Sequence, residues 1–145
     1  MSTSASCAHR EAGGATNGPR PVTVAIMAAK DELGRRGELL AAQMLEEKGL
    51  IVLSRNWRCS EGELDIVARD CIGTVVFCEV KTRSGTGYGT PLEALTAAKR
   101  KRLRRLAQVW LHDCSTSYRT TRFDVVGILW VDGAEPVLDH REQVF

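Results

Sequence analysis

The chain has 145 residues, of which 43% are hydrophobic and 26% charged, and this composition is typical of one soluble globular domain. The formal net charge is only +2, so a nucleic-acid partner has to be inferred from where the charges lie and not from their total. No apolar run approaches the ~20 residues that a membrane-spanning helix needs, which argues against a membrane protein.

The cysteines and histidines indicate neither a disulfide framework nor a zinc site. The five cysteines have no C-x-x-C spacing, and the three histidines lie far apart in the chain. We therefore expect reduced thiols in a cytoplasmic protein.

The first part of the chain differs in composition from the rest. Residues 1–21 are mostly Ser, Ala, Gly, Thr and Pro, so we expect residues 1–29 to be a disordered N-terminal extension and residues 30–145 to form the folded domain. Met27 lies just before the first helical pattern, and translation starting there is an alternative.

The helical and strand patterns alternate along the folded part. A helix is predicted from about 30 to 48, with Gly49 at its end, and a second helix from about 92 to 112. Strands are predicted at about 50–57, 62–70, 74–83 and 122–131, and a glycine-rich loop at 84–91. The C-terminal tail either adds a short strand or packs loosely. This order predicts a layered α/β domain.

Acidic and basic side chains lie on two neighbouring predicted strands. Because strand side chains alternate between faces, Glu79 and Lys81 share one face with Val75 and Phe77. By the same alternation, Asp65 shares its face with Glu63 and Val67. The E-x-K pattern alone is also typical of a solvated sheet face with a Lys–Glu cross-strand pair.

The turn between these strands fixes how they meet. Cys71-Ile72-Gly73 suits a three-residue hairpin loop with Gly73 in the left-handed conformation, which pairs Asp70 with Thr74. In that register Asp65 faces Glu79 and Glu63 faces Lys81, with Cβ atoms roughly 4.5–5.5 Å apart.

Two facing carboxylates repel each other unless a cation lies between them. An all-oxygen site favours Mg²⁺ or Mn²⁺, which would activate water and stabilise charge on a phosphate. Lys81 would then orient the attacking water or hold a phosphate oxygen.

Two further side chains are candidates for the same site. Glu38 lies at the edge of the apolar face of the first helix, and is either a surface residue or a third carboxylate at the metal. Lys99 falls in the middle of the apolar stripe of the second helix, while Arg100, Arg104 and Arg105 point away from it. Lys99 either extends to the surface or contributes to an anion site beside Lys81.

Basic residues are concentrated within the predicted second helix, where six of the seven positions 99–105 are Lys or Arg. Such a run is either a solvated helix face or a surface for a phosphate backbone. The residues that we expect to contact nucleic acid are Arg35, Arg36, Arg83, Lys99, Arg100, Lys101, Arg104 and Arg105.

The strings GRRGELLAAQML, SRNWRCSEGELDIVARD, VVFCEVKTR, YGTPLEALTAAKRKRL and RFDVVGI resemble the YraN-like family of small bacterial proteins. That family is similar to the restriction-endonuclease-like, PD-(D/E)-x-K, superfamily and to archaeal Holliday-junction resolvases. The resemblance implies a central mixed β-sheet flanked by helices, and a nuclease-like domain over residues 30–145. It also implies catalytic roles for Glu38, Asp65, Glu79 and Lys81, with the metal held by Asp65, Glu79 and Glu38. The proline of the motif is absent, since Leu64 precedes Asp65.

The resulting expectation is an Mg²⁺- or Mn²⁺-dependent endonuclease acting on DNA, with branched or damaged DNA as candidate substrates. A homodimer would match the two-fold symmetry of a DNA junction. The alternatives are a nucleic-acid-binding protein without catalysis and a protein whose basic helix binds an acidic partner protein.

Overall fold

The computed structural model describes residues 21–85, 93 and 95–145, which form a five-stranded sheet with one helix on each face. The elements are α1 (Pro21–Glu47), β1 (Ile51–Cys59), β2 (Gly62–Arg69), β3 (Val75–Arg83), α2 (Ala97–Asp113), β4 (Thr121–Leu129) and β5 (Val137–Arg141). The strand order is β1-β2-β3-β4-β5, with only β3 and β4 parallel. The expected layered fold with a central mixed sheet is confirmed, and its architecture is consistent with a restriction-endonuclease-like fold. The tail adds the fifth strand.

Helix α1 begins at Pro21, nine residues before the expected start at 30. Proline suits the first turn of a helix because its φ is already helical and its missing N–H has no intrahelical partner there. Residues 21–29, which we assigned to the N-terminal extension, are therefore helical, and residues 1–20 lie outside the described part of the chain. The helix ends at Glu47, just before the predicted stop at Gly49, whose φ is +92°. Hydrogen bonds from Gly49 N to Glu46 O and from Leu50 N to Leu45 O close the helix end.

The two faces of the sheet have different cores. On one face, side chains of β2, β3 and β4 pack against Leu103, Leu106 and Trp110 of α2. On the other face, side chains of the same strands pack against Ala41 and Leu45 of α1. The sheet therefore holds α1 and α2 on opposite sides of β3.

No helix of the described residues is long and apolar enough to cross a bilayer.

The predicted hairpin register is confirmed at the closed end of β2 and β3. Asp70 N donates to Thr74 O at 3.0 Å, and Gly73 has φ of +88°. The ladder then runs in this register as far as the pair Ile66–Cys78, and the next pair, Asp65–Glu79, is not formed. The two strands therefore separate at the two carboxylates.

The alternation of β2 side chains is interrupted at the same point. Val67 and Leu64 both pack on the α2 side, whereas Ile66 between them packs on the α1 side. The expectation that Glu63, Asp65 and Val67 share one face is therefore wrong. The neighbouring strand β1 is irregular here too, because Asn56 has φ of +51°.

Helix α2 begins at Ala97 and not near 92. Its N-cap is Thr96, whose hydroxyl oxygen accepts a 3.2 Å hydrogen bond from Lys99 N. Leu95, expected in the apolar stripe of the helix, is buried but precedes it. Leu92 and most of the predicted glycine-rich loop lie outside the described residues.

Candidate functional site

A cavity of about 340 Å³ lies where β2 and β3 separate, between α1 and the first turns of α2. We call it the carboxylate cavity. Its charged lining residues are Glu38, Glu63, Asp65, Glu79, Lys81, Lys99 and Arg102. The structure thus brings the four predicted catalytic residues, Glu38, Asp65, Glu79 and Lys81, to one cavity.

Asp65 takes the place of a backbone acceptor at the open end of the hairpin. Its Oδ2 accepts a hydrogen bond from Val80 N at 2.9 Å. The carboxylate of Asp65 therefore satisfies an amide that the interrupted ladder leaves without its backbone partner. This bond fixes the side chain at the mouth of the cavity.

Asp65 is also the most perturbed carboxyl group of the site. Burial, together with repulsion from Glu79 and Glu38, raises the pKa of Asp65 from 3.8 to about 8, although the Val80 hydrogen bond opposes the shift. Ionised Asp65 is therefore unfavourable without a cation nearby. The three carboxylates form one repelling group.

The carboxylate of Glu79 is buried and paired with two ammonium groups. The residue is only 9% exposed, and its Oε1 lies 2.7 Å from Lys99 Nζ and 3.5 Å from Lys81 Nζ. Lys99 therefore pairs with a carboxylate beside Lys81, and its contribution to an anion site stays a prediction. The first turn of α2, fixed by its Thr96 cap, positions this lysine.

The pKa values of Lys81 and Lys99 shift in opposite directions, although the two ammonium groups are neighbours. Burial lowers the pKa of Lys81, and the neighbouring ammonium group of Lys99 lowers it further. Burial also lowers the pKa of Lys99, but hydrogen bonds to Glu79 and Lys81 more than offset this, so its pKa is raised. Lys81 is therefore the lysine that gives up its proton more easily.

Glu38 approaches the cavity from α1. Burial raises the pKa of Glu38, the nearby Glu63 raises it further, and a hydrogen bond from Asn56 opposes the shift. The helix comes this close because Gly37 has no side chain, and a Cβ there would overlap the hydroxyl of Thr82. Asn56 was not singled out from the sequence, and its only local signal is an Asn in a predicted strand.

Glu63 does not face Lys81 as predicted. It lines the cavity, but its carboxylate pairs with Arg58 of β1 at 3.0 Å. The reason is the separation of β2 from β3, which removes the direct opposition that the register would give.

Hard oxygen ligands are present, but in this side-chain arrangement they do not form a three-ligand metal cluster. Among residues 21–85, 93 and 95–145, no group of three His, Cys, Asp or Glu side chains is arranged to hold a metal ion. Glu79 is drawn to the two lysines and Asp65 to Val80. Asp65 and Glu79 are the pair that could hold a hard cation, with Glu38 nearest to them on α1.

A sequence profile of the uncharacterised protein family UPF0102 matches residues 37–128. The chain belongs to this family. A UPF0102 protein of Nocardia farcinica is 51% identical over 116 residues, covering 80% of this chain and 91% of the relative. Similar proteins of Clavibacter michiganensis and Acidothermus cellulolyticus are 50% and 47% identical, covering 78% and 81% of this chain and 95% and 96% of the relatives.

The residues that meet in the carboxylate cavity all fall inside the segment matched by the UPF0102 profile. They are Glu38, Glu63, Asp65, Glu79, Lys81, Lys99 and Arg102. The cavity is therefore built from the part of the chain that the family shares.

The predicted nucleic-acid-binding residues divide into several groups in the structure. Lys99 lines the carboxylate cavity, while Lys81 and Arg83 line an adjoining cavity of about 380 Å³ that also includes Lys30. The other predicted residues face elsewhere. Arg35 pairs with Glu32, Arg105 pairs with Glu61, Arg36 lies over Trp130, Arg100 and Arg104 lie over Phe145, and Lys101 is exposed.

Arg102 is a cation of the site that the sequence prediction left out. It lines the carboxylate cavity beside Lys99. The signal for it is helical spacing, because residues three apart lie on the same side of a helix.

Proposed function

We propose that this UPF0102 protein is a divalent-metal-dependent endonuclease of the PD-(D/E)-x-K kind that hydrolyses DNA. One observation carries the proposal. Glu38, Asp65 and Glu79 share a single cavity with Lys81 and Lys99, at the point where β2 and β3 separate.

The donor set fits Mg²⁺ or Mn²⁺. Both ions prefer carboxylate oxygens, and Mg²⁺ commonly takes one or two protein carboxylates and leaves its other positions to water and phosphate. Asp65 and Glu79 supply two such groups, and the raised pKa of Asp65 reflects a local excess of negative charge that a cation would relieve. When bound, the metal would supply an activated water and stabilise the negative charge that develops on the phosphate.

The side chains of the chain itself would position the substrate and move a proton. Lys81, whose pKa is lowered by burial and by Lys99, can accept a proton at Nζ from the attacking water or donate a hydrogen bond to a phosphate oxygen. Lys99 holds the carboxylate of Glu79 in place. Arg102, one helical turn further, lines the same cavity and would bind a neighbouring phosphate.

The two cavities support a path for a phosphate backbone. The adjoining cavity shares Glu38, Val80 and Lys81 with the carboxylate cavity and adds Lys30 and Arg83. The lining of the two cavities therefore combines the three carboxylates with basic residues that would bind the phosphates of a DNA strand. DNA with a branch or a flap is the substrate class we favour, bound by a homodimer where the substrate has two-fold symmetry.

A non-catalytic nucleic-acid-binding protein is the second candidate. The pairing of Glu79 with two lysines favours it, as does the lack of a three-ligand group among the described residues. In that case Lys99 would hold Glu79 permanently, and the cavity would bind phosphate without hydrolysing it.

A cleavage assay beside a binding assay separates the two candidates. Linear, flapped and four-way DNA are incubated with Mn²⁺, Mg²⁺ or EDTA, and affinity is measured in EDTA by fluorescence anisotropy. We expect metal-stimulated cleavage that falls by about 100-fold or more in Asp65→Asn and Glu79→Ala, while DNA binding is retained. Binding without metal-stimulated cleavage would support the second candidate, and equal cleavage by wild type and Glu79→Ala would contradict the nuclease.

A further inference from the structure

A third cavity, of about 590 Å³, lies between the first half of α1 and the segment that follows β4. We call it the aromatic cavity because Trp130 lines it. The guanidinium carbon of Arg36 lies 4.2 Å from the centroid of the Trp130 ring. The cavity thus presents a stacked pair of an indole and a guanidinium, together with apolar side chains of α1 such as Ile26 and Leu33.

The aromatic cavity continues the path that begins at the carboxylate cavity. It shares Lys30, Leu33 and Ser84 with the adjoining cavity. Trp130 N donates to Arg83 O at 2.8 Å, so the tryptophan lies directly beside the end of β3. Lys81 is two residues earlier on that strand, so its backbone lies roughly 7 Å along β3 from the point where Trp130 is bound. That separation is short enough for one DNA strand to reach both places.

The charges of the aromatic cavity favour a base over a phosphate. Lys30 and Arg36 line it together with Glu32 and Asp132, so the lining carries no net charge to attract a phosphate group, and the two carboxylates can accept hydrogen bonds from the N–H groups of bases. Aromatic and guanidinium planes are the surfaces on which proteins stack unpaired bases. The ligand that fits the aromatic cavity is therefore a flat, neutral ring that belongs to a polyanionic chain, as a nucleobase does.

We propose that the aromatic cavity binds an unpaired nucleobase of the same DNA strand whose backbone passes Lys81. The inference rests on the proposed function and narrows its substrate class. Bases inside a duplex are already stacked and cannot enter, so the protein selects DNA with an unpaired nucleotide next to the scissile phosphate. Flapped and gapped DNA meet this requirement, and a continuous duplex does not.

The aromatic cavity is built from other parts of the chain than the carboxylate cavity. Of its lining residues only Ser84 lies within the segment 37–128 matched by the family profile. Base binding and phosphodiester hydrolysis are therefore separable by substitution. Changes at Arg36 or Trp130 leave the three carboxylates untouched.

The first test measures binding without cleavage. Wild type, Trp130→Phe, Trp130→Ala and Arg36→Ala are titrated in EDTA with labelled oligothymidylate and with a blunt duplex, followed by anisotropy. Arg119→Ala is the charge-matched control, because Arg119 is exposed and lines none of the three cavities. We expect Trp130→Ala to weaken oligothymidylate binding about tenfold, because a stacked base loses its aromatic partner, and duplex binding to stay the same.

The second test reads Trp130 directly. The chain has three tryptophans, and we expect the fluorescence quenching caused by oligothymidylate to disappear in Trp130→Phe but to persist in Trp57→Phe and Trp110→Phe. This measurement distinguishes base stacking from a structural role, because Trp130→Phe keeps an aromatic ring against the α1-side core.

The outcomes separate this inference from the proposed function. Trp130-dependent binding of single strands, with no cleavage under any metal, would support the base site and contradict the nuclease. Equal losses on single strand and duplex, or quenching that survives Trp130→Phe, would overturn the base site even if the protein cleaves DNA.

Discussion

Lys99 Nζ lies 2.7 Å from Glu79 Oε1 and joins the first turn of α2 to the central strand β3 across the carboxylate cavity. The Glu79 side chain is 10% exposed and that of Lys99 28%, so water screens the pair far less than it screens a surface ion pair. The pair also links the two sequence segments that carry the acidic and basic halves of the site.

The strength of this pair is measurable by a double-mutant cycle of Glu79→Gln and Lys99→Met. We expect a coupling energy of about 1–3 kcal/mol in urea unfolding, because each single variant leaves a partly buried charge without its partner. The control cycle uses Glu61 and Arg105, which pair at 2.9 Å but are 38% and 65% exposed. That exposed pair should couple by less than about 1 kcal/mol. Equal couplings in the two cycles would show that the cavity does not shield the pair.

Asp65 should reduce the stability of the metal-free protein as the pH rises. Its pKa is about 8 in the folded state against an ordinary 3.8, so between these values the unfolded chain releases a proton that the folded chain retains. Folding stability therefore falls over this range and is lowest above it. Asp65→Asn cannot ionise and can still accept the Val80 hydrogen bond. At pH 9 we expect Asp65→Asn to exceed wild type by at least about 1.4 kcal/mol, the equivalent of one pKa unit, and near pH 4 to match it.

Asp70 is the control for this titration, because its shift has the opposite sign. Backbone hydrogen bonds from Thr74 and Ile72 lower the pKa of Asp70. The contribution of Asp70 to folding stability is therefore present above pH 4 and is lost as the pH falls. Asp70→Asn should accordingly be less stable than wild type at neutral pH. Thermal unfolding of both variants across pH checks the two signs. A rise in stability for both at pH 9 would contradict the assignment.

Alanine substitutions at two glycines of α1 should change the free energy of unfolding in opposite directions. Gly37→Ala places a Cβ on the Thr82 hydroxyl and forces α1 away from β3, at an expected cost of about 1–3 kcal/mol. Gly34→Ala meets nothing within 4 Å and should stabilise the helix by about 0.5–1 kcal/mol. Urea unfolding of both variants measures the difference. If Gly37→Ala is as stable as Gly34→Ala, the close approach that brings Glu38 to the cavity is not tight.

Arginines two positions apart on α2 should differ in their effect on DNA affinity, provided that the carboxylate cavity binds DNA. Arg102 lines that cavity, whereas the guanidinium of Arg104 lies 5.1 Å from the Phe145 ring centroid. We expect Arg102→Ala to weaken binding about tenfold and to reduce the slope of log affinity against log salt by about one. Arg104→Ala removes the same charge and should change both quantities less. DNA affinities of the two variants, measured over a salt series, give both quantities. Equal effects of the two substitutions would mean that DNA binds over the whole helix.

Local chemistry explains what the sequence predicted correctly. The register of β2 and β3 follows from a three-residue loop with Gly73 in the left-handed conformation, and the end of α1 follows from Gly49. These features depend on a few adjacent residues. That register runs as far as Ile66–Cys78 and so brings Asp65 and Glu79 to the point where the two strands separate.

The sequence prediction failed where distant segments decide the structure. The ladder stops at Ile66–Cys78, near the point where Asn56 of β1 has a positive φ and the Asp65 side chain bonds to Val80. Simple alternation contains none of this information. Trp130 and Arg36 are far apart in the chain and meet only because β4 ends beside α1. The start of α2 depends on a local feature, the Thr96 N-cap, which the apolar spacing that predicts the helix does not contain.

The bond from Val80 N to Asp65 Oδ2 makes one side chain serve both the sheet and the cavity. Only the other oxygen of Asp65 is free of that backbone bond, and the side chain has to keep its length to reach the amide. A relative without catalytic activity could have asparagine at this position and still keep the hydrogen bond that joins β2 to β3. Replacement with alanine would remove this hydrogen bond and leave Val80 N without its acceptor. Losing the charge of Asp65 and losing its acceptor oxygen therefore have different consequences for the fold.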